Sequence, residues 1–576
     1  MAEFDYLIVG AGAAGCVVAA RLSANPKVRV LLLEAGMDLL PGQEPASVRN
    51  PFPSASSNPD FGWKNLLAEV GPDVGNGRPV YTRLYSQGRV MGGSSTINGM
   101  MAQRGLPADY DEWERLGAEG WGWDSVLPYF NRLETDTDFR SPMHGNDGPI
   151  PIRRAPRSSW PPFGEAFAQE AQAAGYEFHE DMNAYFGDCV SAVPLSNTAT
   201  DRISAANGYL TAEVRRRPNL TILTDTYAET LLLSGSTVTG VKATKNETSE
   251  IHRARETILC AGAIQSPALM LRSGIGPSES LRRVGIVAVV DRAGVGQNLN
   301  NHPGIHVAVH LPRSSKHDVS RTTCWATSIL RYSSGVQDCP PGDMQIFSSS
   351  RTSWHPLGWR IGALTLLVYK PFSLGSVELK SADPNAAPLV RNRLLSDKRD
   401  LERMIDGLKR VASILASPRV RKVANEAFMP PGGRANKLNT PSFMNWLKSG
   451  VINLLFDVPF GGLRRFLLRR QLVDLETLIR DKAAREDLIL KHSAAVHHVS
   501  GTCKMGGKED PMAVVDSDGK VYGVANLRVA DASIMPTVIS ANTHLPVLMI
   551  GEKISQSILD EIGKSDKLRP ATAGKQ

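Results

Sequence analysis

The residue spacing with the clearest chemical meaning is Gly10-Ala-Gly12-Ala13-Ala14-Gly15, which follows an apolar run, Tyr6 to Val9, and opens a helical pattern from Cys16 to Leu22. A second apolar run, Val28 to Leu33, ends in Glu34, the acid about 20 positions on that a dinucleotide-binding strand, turn, helix and strand require. Gly10 allows the tight turn, Gly12 lets a pyrophosphate approach the backbone and Gly15 lets the helix pack closely. The helix N-terminus then holds negative charge, and Glu34 accepts from ribose hydroxyls. A further stretch, Gly88-Arg89-Val-Met-Gly92-Gly93-Ser94-Ser95-Thr96-Ile97-Asn98, has the density of glycines and hydroxyls that suits backbone pressed against a ligand. Other chemistries find no support. There is no Gly-x-Ser-x-Gly elbow, and His497, His498 and Cys503 are of metal-ligand type without ligand spacing, so no metal is expected. Arg215 to Arg217 read as a solvated helix end.

The elements that must carry these residues can be read from apolar runs. Strands are expected at 219–224, 256–262, 363–368 and 376–379, helices at 400–415 and 472–484, and a last strand at 526–531 before a helix over 546–562. A chain of 576 residues holds several domain-sized units. Its 42% apolar and 21% charged residues give an ordinary globular composition with a large core. With 65 basic against 58 acidic residues, the net +7 makes a weak mean field, so nucleic acid is not indicated as a partner. Six cysteines without a CxxC pair fit a reducing, cytoplasmic compartment. Glu3 and Asp5 stand where a secretory signal would be basic, and no window of 18 uncharged apolar residues occurs, so neither export nor a membrane span is expected.

Several longer runs narrow the reading. Gly88 to Asn98 continues through Arg104 to Trp113; Gly262-Ala-Ile-Gln-Ser266-Pro267 continues to Pro277; and Gly294-Val-Gly-Gln-Asn298-Leu299, His498-Val-Ser-Gly501-Thr502-Cys503-Lys-Met-Gly506 and Asp531 to Pro536 follow. Together, from about residue 4 to 562, the chain resembles the glucose-methanol-choline (GMC) oxidoreductase family of flavoproteins. The run Ala541-Asn542-Thr543-His544-Leu545-Pro546 is most similar to the 5-hydroxymethylfurfural oxidase and aryl-alcohol oxidase branch. The resemblance implies an α/β fold: a Rossmann-like FAD-binding domain with a discontinuous α+β substrate-binding domain on an antiparallel sheet. The expected limits are 1–315 for the first region, with an excursion into the substrate domain near 155–205. The substrate domain proper spans 316–490, the return carrying the catalytic motif 491–565, and a polar tail 566–576.

The resemblance also implies a cofactor and roles. FAD would be non-covalent, because Ile97 stands where covalently flavinylated members often have histidine. Besides Gly10, Gly12, Ala13, Ala14, Gly15 and Glu34, the expected FAD contacts are Ala35, Arg89, Gly92, Gly93, Ser94, Asn98, Gly99, Ala228, Asp531, Ala532, Asn542 and His544. His498 would be the base and Asn542 its partner across the substrate oxygen. Met101, Val368, Tyr369, Val496 and His497 would line the substrate pocket and favour a flat apolar alcohol over a sugar. Adjacent histidines on an extended strand point opposite ways, which makes His497 a wall of the pocket. Two departures stand out: Asn301 replaces the usual aspartate before His302, and Cys503 reads as framework rather than redox thiol. The implied activity is oxidation of a primary, aromatic or bulky apolar alcohol to the aldehyde, with hydride passing to flavin N5 and oxygen as acceptor. Its rivals are a quinone-dependent dehydrogenase of choline type and a cyanohydrin lyase. The segment 451–472, where apolar and basic residues interleave, has two readings: a lid or core helix over the pocket, or a patch that makes weak contact with an anionic membrane surface.

Overall fold

The computed structural model describes residues 3–568 apart from 76, 78, 79, 431–436 and 457–460. Two sheets organise it. In the first, strands Leu220–Leu223, Val30–Leu33, Phe4–Val9 and Thr248–Leu259 run parallel in that order, and Leu527–Val529 joins the last of them. Val30–Leu33 is buried at all four positions, the pattern of a parallel strand covered on both faces. The N-terminal half of Thr248–Leu259 continues into an antiparallel meander with Thr237–Lys245 and Thr226–Ser234. Helix Ala13–Leu22 covers this sheet and packs on the C-terminal helix His544–Leu568, where a Cβ on Gly551 would lie 2.9 Å from that of Val17.

The second sheet is antiparallel throughout, in the order Ala427–Phe428, Pro303–His310, Ile361–Val368, Met344–Ser349, Ala326–Tyr332, Cys189–Ala192. It starts before residue 316, since Pro303–His310 is one of its inner strands, and it draws in Cys189–Ala192 and, beyond 490, Ala494–Ala495. Helix Lys398–Ala416 packs on it, capped by the Asp397 carboxylate accepting from Arg399 N. The helix expected at 472–484 is instead two, Leu475–Arg480 and Lys482–His492, because Asp474 and Asp481 each cap a new start with their side chains. Residues 457–460 of the 451–472 segment and 569–576 of the tail lie outside the described residues. No described helix is long and apolar enough to cross a membrane.

A buried ion network ties 104–181 together. His144 Nδ1 lies 3.0 Å from Glu134 Oε1 and 3.2 Å from Asp136 Oδ2, while its Nε2 lies 2.6 Å from Asp181 Oδ2. Glu134, Asp136 and His144 have the types of a metal site, yet Arg104 pairs with Glu134 and Arg154 with Asp136 and Asp181, so guanidinium groups already neutralise the carboxylates. Burial opposes a charge on His144, but its hydrogen bonds to Asp181 and Glu134 overcome this and raise its pKa from 6.5 to about 9. A histidine with a raised folded-state pKa stabilises below its unfolded value and loses that contribution as pH rises through the folded one. His144→Gln should therefore lower the free energy of unfolding at about pH 6 by on the order of 3 kcal/mol, and the midpoint with it, by a margin that shrinks by about pH 10. Thermal scans of both proteins at the two pH values measure it, and a constant gap would refute the assignment.

Candidate active site

A cavity of about 1250 Å³ runs from the glycine turn to the histidine pair, more than the roughly 300–1,000 Å³ of a cleft for one small ligand. Its first end is backbone. Gly12, without a side-chain cap, begins helix Ala13–Leu22, so the first N–H groups stay open. Gly10 has φ +99°, and a Cβ on Gly15 would sit 1.9 Å from Gly10 O, so neither position accepts a side chain. A Cβ on Gly93 would meet Gly12 Cα at 2.8 Å, which brings the second glycine stretch against the first. The Glu34 carboxylate accepts from Ala11 N at 2.9 Å and Gly36 N at 2.8 Å. Burial pushes its pKa up to about 7. Each oxygen keeps a second lone pair for a further donor.

Gly10, Gly12, Ala13, Ala14, Glu34, Ala35, Gly93, Ser94, Asn98, Gly99, Ala228, Asp531, Ala532, Asn542 and His544 all stand on the cavity wall. Three expected contacts stand behind it. Gly15 packs on Gly10, Gly92 N donates to Ala11 O at 2.8 Å, and Arg89 Nε donates to Ala35 O at 3.0 Å beneath the Trp63 ring. Asp531 clamps two segments by accepting from Gly262 N at 2.8 Å and Ser266 Oγ at 2.5 Å. Buried polar atoms on the wall, His544 Nε2, Gln87 Oε1, Gln265 Oε1 and Arg272 Nη1, have no protein partner. A glycine cradle, an open helix N-terminus and these unpartnered atoms fit a polar dinucleotide such as FAD.

The far end carries imidazoles whose protons can be assigned from their partners. His302 Nε2 lies 3.1 Å from the Ile539 carbonyl, so it donates there and leaves Nδ1 as an acceptor. His498 Nδ1, 2.9 Å away, must then donate to it. His498 Nε2 is left with a lone pair, which accepts from Asn542 Nδ2 at 3.1 Å. The Asn542 amide is held from behind: Tyr369 Oη lies 3.1 Å from Oδ1 and 2.5 Å from the Gln345 amide. The Tyr369 hydroxyl donates to Gln345 Oε1 and has Asn542 Oδ1 as its second acceptor. Asn301 accepts from His498 N at 2.9 Å and donates to Asn392 Oδ1 and Tyr85 Oη, uses that need both ends of an amide. Burial, then His497, lowers the His498 pKa from 6.5 to about 3; burial, then His306, lowers His497 to about 4; and burial, then Arg202, lowers His544 to about 4. Burial, then His498, takes His302 well below its ordinary value.

Three expectations need correction. Val368 and Tyr369 are fully buried and off the wall. Strand alternation puts Thr365 and Leu367 on the cavity side and Leu366 on the other, toward Gly407 of helix Lys398–Ala416, so Val368 falls on the wrong face. His497 and His498 both line the cavity, together with Val496 and Met101. The extended-strand argument fails because His497 has φ +70°, and its ring lies 4.5 Å from that of Tyr85. Cys503 is buried, and burial pushes its thiol pKa up, as a framework residue requires. Sequence reasoning missed His302, Gln345, Trp325, Phe347 and Thr365; only His302 left a signal, in the run beginning at Gly294.

Helices Phe443–Phe456 and Gly462–Leu468 precede Arg470, Gln471 and Leu472, which join the cavity wall. They are anchored through Phe456 and Leu468, which pack with Phe428 and Leu357. Neither is a core helix.

Comparison with known proteins gives the family. The GMC oxidoreductase N-terminal family model matches residues 4–304 and the C-terminal one 371–551. The chain is 40% identical over 567 residues to the 5-(hydroxymethyl)furfural oxidase of Methylovorus sp. (strain MP688), covering 97% of this chain and 99% of that protein. It is 32% identical to mitochondrial choline dehydrogenase of Mus musculus over 99% of this chain and 91% of that one. Among solved structures, pyridoxine 4-oxidase from Mesorbium loti superposes with a TM-score of 0.78 at 27% identity, covering 97% of this chain and 99% of that chain. The chain belongs to the GMC oxidoreductase family and is an FAD-dependent oxidoreductase acting on CH–OH donors. Because burial keeps the site's imidazoles neutral, the acid limb of kcat/KM should fall below pH 6.5, the ordinary imidazole value. A pH profile with an inflection at or above that value would contradict it.

Proposed function

We propose that this GMC oxidoreductase oxidises a primary aromatic alcohol to its aldehyde, holds FAD non-covalently and returns the electrons to oxygen. The observation that carries the reading is the lone pair at His498 Nε2 beside the amide hydrogen of Asn542. An alcohol oxygen entering between them would donate its proton to Nε2 and accept from Nδ2, displacing a contact the two residues now make with each other. FAD, when bound, supplies the acceptor for the hydride from the carbinol carbon. The glycine turn would hold its pyrophosphate, Glu34 its ribose, and the 93–99 turn with His544 would stand beside it. Ile97 has no side-chain nucleophile to bond it covalently.

The walls speak for substrate class. Trp325, Phe347, Leu367 and Met101 line the same cavity as the histidines, with Thr365 and His306, 2.7 Å apart, already satisfying each other. Among the described residues the wall carboxylates are Glu34 and Asp531, both occupied by protein donors, whereas Arg83, Arg470 and Lys491 stand on it too. The wall cations oppose a quaternary ammonium, and a sugar would leave hydroxyls without partners. The 40% identity to an oxidase supports oxygen as acceptor.

The test is a parallel assay. Benzyl-type alcohols should bleach the flavin under anaerobic conditions and consume oxygen in air, with higher kcat/KM than choline or sorbitol, and acid precipitation should release yellow FAD to the supernatant. Preference for choline, dye reduction without oxygen uptake, or colour in the pellet would each overturn the corresponding part. His498→Ala should keep FAD bound yet slow flavin reduction roughly 100- to 10,000-fold. The reverse pattern, with His497→Ala the slow variant, would transfer the base to its neighbour.

A further inference from the structure

Helix Phe443–Phe456 turns its apolar side chains the wrong way for a core element. Phe443 is 78% exposed and Leu454 64%, as is Phe466 at 60% on the following helix Gly462–Leu468. Met444, Trp446, Leu447, Val451, Leu463 and Leu467 are exposed beside them. Single exposed apolar residues need no explanation, but a contiguous set of this size marks a surface that something covers.

Charge decides what. From Lys437 to Leu472 the sequence has six basic residues, Lys437, Lys448, Arg464, Arg465, Arg469 and Arg470, and one acid, Asp457. Arg464 and Arg465 share one carboxylate, Glu426, so one positive charge remains in excess there, and Arg469 lies over the Phe466 ring. A second copy related by a two-fold axis would bring this basic face against itself. Apolar side chains that include Trp and Phe, interleaved with Arg and Lys and free of exposed acid among the described residues, match the apolar and anionic layers of a bilayer surface.

We propose that this face docks on an anionic lipid surface. Arg470, Gln471 and Leu472 connect it to the cavity wall, so docking would set the cavity mouth at the headgroups and let an apolar alcohol enter from the lipid phase. The proposal concerns the surface and holds whatever the alcohol or the electron acceptor.

The purified holoprotein would be sedimented with vesicles of equal parts phosphatidylglycerol and phosphatidylcholine, and with phosphatidylcholine alone, at low and high salt. Light scattering would give its mass in parallel. Binding is expected only to the anionic vesicles, weakening as salt rises. Arg465→Gln with Arg469→Gln should reduce it roughly tenfold or more, from about 1 kcal/mol for each basic residue near the surface. Leu454→Ser with Phe466→Ser should abolish it, and both double variants should keep FAD and their oxidation rate in solution. No binding by the unaltered protein, binding indifferent to both variants, or a dimer that Leu454→Ser with Phe466→Ser dissociates would overturn the proposal. The last result would make the face a contact between copies.

Discussion

A single nitrogen-to-nitrogen hydrogen bond, from His498 Nδ1 to His302 Nδ1, governs the histidine end of the cavity. It needs a neutral His302, since a proton added there would set donor against donor, whereas a proton taken up at His498 Nε2 leaves the bond standing. Neutrality in turn requires that water be kept from the ring. The enclosure is built for that: Tyr369 stands edge-on to His302, Tyr85 covers His497, and Asn301 fixes the backbone of His498. His302 adjoins the strand Pro303–His310 of the second sheet, and His498 lies on the returning chain beyond it. The bond therefore forms only when these segments are docked, and the direction of one lone pair becomes a property of the tertiary structure.

The protein handles buried polarity in two opposite ways. In the cavity, imidazoles pass hydrogen bonds along a line that carries no formal charge, ending on a carbonyl at one side and a glutamine amide at the other. Behind it, Arg104, Arg154 and His144 are matched against Glu134, Asp136 and Asp181 with full charges. Only the first arrangement presents an acceptor to the cavity; the second sets its charges against one another and serves as framework.

What the sequence disclosed follows the range of the interactions. The glycine turn, Glu34 and the flanking strands were legible because backbone clearance and a helix start are local demands with fixed spacing. The helix break at Asp481 had a local signal too, an N-cap aspartate, but its apolar pattern continued across the break. The face of Val368 depended on strand parity, which a shift of one residue inverts. The placement of His497 depended on a left-handed backbone that no neighbouring glycine announces. Phe347 came to the cavity, and Gln345 to Tyr369 behind it, through cross-strand pairing, and such contacts leave no mark along the chain.

The parallel edge of Thr248–Leu259 is completed by Leu527–Val529, with Thr257 opposite Leu527, and Asp531 then closes on Gly262 and Ser266. During synthesis this edge stays open until the distant strand has left the ribosome. The same late stretch brings Asn542, His544 and the helix that covers Ala13–Leu22. Nascent chains thus display half of a nucleotide cradle with one wall missing, and the hydrogen bonds that strand lacks in the meantime invite pairing with other chains. Cofactor capture therefore waits for the last stretch of the chain, since the cradle has no complete wall before it arrives.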